Sequence, residues 1–208
     1  MVNDAFGPFL GAWTLMMAAM MLPSATPMIL LHRLGADGAG RVRSELRTGV
    51  FVGGYLLVWA SIGVGVWLSA RIVDALFPPD ARALGIAAIL LVAGVYQFTP
   101  LKATCLRACR TPMDFLLTHW YRGMSGALRL GIEHGLYCLG CCWALTAVFA
   151  GAGAMGLTWA AVVALAVFVE KVLPHGVAFG RAMGVALMAG AAIVAAWPGI
   201  VNVLAGGG

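Results

Sequence analysis

Residues 48–70 read TGVFVGGYLLVWASIGVGVWLSA, 23 positions without a charge. A strand rarely runs past about ten residues. A helix needs about 20 apolar residues to cross the hydrocarbon of a bilayer. In that solvent only helices and closed barrels satisfy their own backbone groups. Barrel strands announce themselves as short alternating segments. This stretch is long and unbroken, so it predicts a transmembrane α-helix.

Five more runs of the same kind lie outward from it, near 7–31, 83–104, 125–150, 154–172 and 177–204. The chain as a whole is 62% hydrophobic and 10% charged, with mean hydropathy +0.95. A soluble domain carries about a quarter charged residues, so a globular surface cannot be covered here. The predicted fold is all-α: a polytopic membrane helix bundle of about six spans, forming one domain over 1–208. Asp4 precedes the first run, and no Lys or Arg does. That argues for a retained first span rather than a cleaved signal. The closing Gly206–Gly208 tail is predicted to be disordered, and no soluble catalytic domain is expected.

Eleven of the 13 basic residues fall in three connections. They are Arg33, Arg41, Arg43 and Arg47; then Lys102, Arg107, Arg110, Arg122 and Arg129; then Lys171 and Arg181. Arg71 and Arg82 fall on the other side. Basic loops stay cytoplasmic, which predicts both termini outside and a multi-pass protein of a bacterial inner membrane. The net charge of +5 is thereby a matter of topology and calls for no nucleic acid. The partners expected are the lipid bilayer, a metal-delivering or redox protein, and further copies of the chain.

The unusual residues sit in four of the six runs. In WTLMMAAMMLPSATP, Met16 and Met20 are four apart, as are Met17 and Met21, so each pair shares a helix face. Thioethers suit Cu(I), although methionine is also an ordinary packing residue. Pro23 and Pro27 are expected to kink this run. In YQFTPLKATCLRACR, Pro100 should interrupt the helix, and Cys105 and Cys109 then share a face. That spacing suits a common metal better than an intrahelical disulfide, and Arg107 and Arg110 favour a reactive thiolate. The opposing reading is two idle thiols in a reduced loop.

GLYCLGCCW carries the densest signal. On a helix His134, Cys138 and either Cys141 or Cys142 form one stripe. Imidazole and thiolate are good ligands for copper or zinc; the competing reading is small buried hydrophobes. Glu170 ends fifteen uncharged positions, and a carboxylate inside a span is a functional candidate unless it pairs with Lys171 at the interface. Gln97, Lys102 and Glu170 are expected to support the ligands or relay protons. Loop charges and helical rise predict that all these groups meet in the inner half of the bundle. Runs 48–70 and 177–204, rich in Gly and Ala, read as scaffold or oligomer faces.

Trp13 with MMAAMMLP, YQFTPLKATCLRACR, GLYCLGCCW and Glu170-Lys171 occur in order across four runs. With these pieces the chain resembles a bacterial family of predicted metal-binding integral membrane proteins of unknown function. The resemblance implies a methionine where this chain has Thr146. Three functions stay open. The first is soft-metal handling, with a copper ion, or zinc, bound for delivery or transport. Its candidate ligands are Met16, Met17, Met20, Met21, Cys105, Cys109, His134, Cys138, Cys141 and Cys142. The second is a thiol–disulfide carrier across the membrane. The third is the membrane subunit of a metal-dependent oxidase, the one reading that makes the chain part of an enzyme.

Overall fold

The uncharged stretch 48–70 lies inside one continuous helix, α2 (Arg41–Leu76). The computed structural model describes residues 5–35, 40–76, 81–151 and 157–199. Asp4, the start of the 154–172 run, the end of the 177–204 run and the glycine tail fall outside the described residues. Among those described there are eight helices and no strand. The others are α1 (Phe6–Gly35), α3 (Arg82–Tyr96), α4 (Pro100–Arg110), α5 (Pro112–Thr118), α6 (Gly123–Gly151), α7 (Leu157–Val172) and α8 (Gly176–Ala196).

The described residues account for four or five of the expected six spans. Among the described residues α1, α2, α6 and α8 are long and apolar enough to cross a membrane, and α3 with α4 makes a fifth if that pair counts as one span. The pair is bent by 66°. The described part of α7 is 16 residues, about 24 Å at 1.5 Å per residue, short of a hydrocarbon core of about 30 Å. The stretch read as a loop over 102–129 is also different. Most of it is α4 and α5, with α6 already under way at Gly123.

The bend follows from Pro100. A proline ring clashes with the carbonyl one turn back and offers no N–H, and it pushes the preceding residue into extended backbone. Thr99 is extended at φ −75°, ψ 146°, and its side chain accepts from the Lys102 backbone N–H, capping the first turn of α4. Pro23 and Pro27 lie inside α1, which continues through both.

Two close crossings organise the bundle. Helix α2 packs against α6, where a Cβ on Gly131 would collide with the Phe51 carbonyl and one on Gly54 would lie 2.6 Å from the Leu128 carbonyl. Helix α8 packs against α3, where a Cβ on Gly184 would lie 2.9 Å from the Gly94 carbonyl. Small residues that let backbones touch are the main source of helix association where lipid is as apolar as the core. Runs 48–70 and 177–204 are in this sense packing surfaces within the bundle. Helix α1 closes it, packing on α2 and α7, with Trp13 Nε1 donating to the Trp59 carbonyl at 2.9 Å.

Candidate metal centre

Cys138, Cys141 and Cys142 are all buried on the inner face of α6. Two of them turn back on their own helix: the thiols of Cys141 and Cys142 donate to the Cys138 carbonyl at 3.0 and 2.9 Å. This is the local side-chain to backbone bond that short polar groups make one turn down a helix. Cys138 is different. Its sulfur takes partners from two other helices, the Tyr55 hydroxyl of α2 at 3.0 Å and the Lys171 ammonium of α7 at 3.0 Å. The same ammonium donates to Ser24 Oγ of α1 at 3.3 Å.

The elbow at 97–99 brings the remaining thiols in. Tyr96, the last residue of α3, donates its hydroxyl to the Gly140 carbonyl at 2.5 Å, fixing the elbow to α6. Helix α4 then lies against α6. Cys105 rests over Gly140, where an added Cβ would stand 2.5 Å from its sulfur. Cys109 Sγ lies 3.8 Å from Cys141 Sγ. Two sulfurs at tetrahedral positions about 2.3 Å from one metal are about 3.8 Å apart, so this pair matches the spacing of a shared ion. The thiols of Cys109, Cys141 and Cys142 are all neighbours of Cys138.

Methionines complete the sulfur surface. Trp13, Met17, Met20, Met21, Ser24, Met28 and His32 form the buried stripe of α1. Met17, Met20 and Met21 belong to the same contiguous core as Cys105, Cys138, Cys141 and Cys142, with Met16 and Cys109 packed against it. Among the described residues no three His, Cys, Asp or Glu side chains stand as a finished cage. Thiols from α4 and α6 thus share one core with methionines of α1, and one lysine, Lys171, reaches Cys138.

Gln97, Lys102 and Glu170 do come together. Lys102 Nζ donates to both Glu170 oxygens at 2.8 Å and to Gln97 Oε1, while Gln97 Nε2 has no hydrogen-bond partner among the described residues. The alternative in which Glu170 pairs with Lys171 and reaches for the interface is overturned. Glu170 is 1% exposed, its partner is Lys102, and Lys171 points the other way, into the sulfur. The activating role expected of Arg110 needs the same correction. Its guanidinium caps the end of α7, donating to the Glu170 and Pro174 carbonyls at 2.6 and 3.3 Å.

His134 is buried a turn below Cys138, on the predicted stripe. It sits in an aromatic box with its ring 5.4 Å from Phe115, 5.9 Å from Tyr55 and 6.2 Å from Phe51. Its Nδ1 has no hydrogen-bond partner among the described residues. Two residues at the centre were not singled out from the sequence, Tyr55 and Ser24, and Lys171 was read only as a partner of Glu170 and as part of the Glu170-Lys171 piece. Tyr55 carried a faint signal, as the one phenol in an uncharged run. Ser24 carried none.

Burial, softness and spacing of these sulfurs fit a thiophilic ion. Thiolate and thioether together select Cu(I), whereas zinc sites are built from Cys, His and carboxylates without methionine. No curated protein and no solved structure matches the chain. A family model described as PpoB2, copper chaperone, matches residues 10–194. The metal-related part of the resemblance drawn from the sequence motifs is thereby shown, and the chain belongs to the PpoB2 copper chaperone family.

Proposed function

We propose that this protein binds Cu(I) within a membrane and passes it on as cargo. The observation that carries the reading is the sulfur core, four thiols from two helices with Cys109, Cys141 and Cys142 gathered around Cys138, in one apolar core with three buried methionines of a third. Apolar side chains on the outside of the bundle support a lipid setting: Leu15, Leu57, Leu91, Leu165 and Val185 are each half or more exposed, an unusual surface for a soluble monomer. In this reading Cys138, Cys141 and Cys109 are the primary ligands. Cys105, Cys142, Met16, Met17, Met20 and Met21 supply alternatives for exchange, and His134 lies on the path towards the basic end. Lys102, Gln97 and Glu170 hold the elbow in place.

Elemental analysis of protein purified in detergent and loaded with Cu(I) under a reductant tests this. Wild type should hold about one equivalent, the occupancy of one shared site. The Cys138→Ser, Cys141→Ser double variant should fall to background. Wild-type copper no higher than a buffer blank removes the proposal.

One distance favours a second reading. Cys109 and Cys141, on separate helices, are close enough for a small movement to join them as a disulfide. A thiol carrier would leave a mixed disulfide with its partner when one of the two becomes Ser, and a copper carrier would leave none.

A further inference from the structure

Lys171 is the residue that the copper reading does not use. It is buried, 7% exposed, and its ammonium touches Cys138 Sγ and Ser24 Oγ. Cys141, Cys109 and Tyr55 are other groups that face it electrostatically. The neighbouring carboxylate, Glu170, is already held by Lys102 through both oxygens, so that pair balances itself. Glu170 and His134 also lie within electrostatic reach of Lys171, but the hydrogen bonds of its ammonium go to Cys138 and Ser24.

We infer that Lys171 sets the charge of the ion this centre accepts, and that it makes the centre select monovalent over divalent soft metals. The inference rests on the copper reading above and extends it. Uncompensated charge is costly in a buried, low-dielectric site. With Cys138 and Cys141 bound as thiolates and Cys109 as a neutral thiol, one monovalent ion and one ammonium bring the sum to zero. The same two thiolates with a divalent ion and the ammonium leave a full positive charge inside the bundle. Repulsion between the ammonium and the ion also doubles when the ion's charge doubles, since the energy scales with the product of charges. Softness chooses sulfur-seeking metals, and Lys171 then discriminates among them by valence. It is a positioning residue: in this scheme it touches a ligand, and need not touch the ion.

Ag(I) and Cd(II) separate the two effects, because both seek sulfur and they differ in charge. Purified wild-type protein offered equal amounts of both should take up silver in excess over cadmium. Lys171→Met should lower that silver-to-cadmium ratio by at least about tenfold, the order expected from one extra unit of repulsion at short range. Lys171→Arg, which keeps the charge, should hold the wild-type ratio. Wild type that takes up cadmium as readily as silver overturns the inference without any variant, which covers the case in which Lys171→Met does not fold. A wild-type ratio retained in Lys171→Met overturns it too. Wild type that binds neither silver nor Cu(I) overturns the copper reading itself, and this inference with it.

Discussion

Cys138 and Cys109 occupy opposite ends of a gradient of access. Cys138 is fully enclosed, Cys141 and Cys142 are 1% exposed, and Cys105 is 8% exposed, while Cys109 alone of the five is only partly buried. Thiol chemistry follows access as well as thiolate character. Brief treatment with N-ethylmaleimide should therefore alkylate the α4 thiols, Cys105 and Cys109, first, and peptide mass spectrometry should find Cys138 and Cys142 intact. Labelling that begins at Cys138 would contradict the arrangement. The sulfur residues themselves were legible because helical spacing places them on shared faces. Lys171 was not. It follows a buried acid in the chain, and adjacent opposite charges read as a pair, yet successive residues on a helix point about 100° apart and these two serve different neighbours.

At the scale of elements, the α3–α4 elbow decides the centre. A straight helix would carry Cys105 and Cys109 on along the direction of α3; a 66° turn lays them across α6. Lys102, at the start of α4, binds Gln97 before the break and Glu170 on α7, so one buried ion pair ties three pieces of backbone. Removing one partner of such a pair strands the other charge and typically costs about 3–5 kcal/mol. Lys102→Met should show a loss of this order in chaotrope unfolding followed in detergent, and an unchanged midpoint would mean that the elbow is held by other contacts. Pro100 made the break foreseeable, since the ring forbids a regular helix through that point. The angle was not foreseeable, because it is set by what α4 meets: Gly140, which leaves room for Cys105, and the carbonyls at the end of α7, which receive Arg110.

For the whole molecule, the end of α1, the start of α2 and the residues ahead of α6 meet at one end of the bundle. Arg33 at the end of α1 pairs with Glu45 near the start of α2, and Gly35 lies under Trp120, just ahead of α6. If this end faces the cytoplasm, alkaline phosphatase fused to the C-terminus should be active and a fused green fluorescent protein dark. The reverse pattern would invert the topology. The bundle class was readable from composition alone, because so few charges cannot coat a globule in water. The number of crossings was less so, since hydropathy counts apolar positions and does not see a bend inside a run or how far a helix extends at its ends.

The donors around Cys138 come from α1, α2, α4, α6 and α7, spread from Met17 to Lys171 along the chain. A nascent polypeptide halted before α7 would own every cysteine and still lack the cation that sits among them. If the chain carries copper as proposed, loading is a step that follows biosynthesis, open only to a chain that has been made as far as α7.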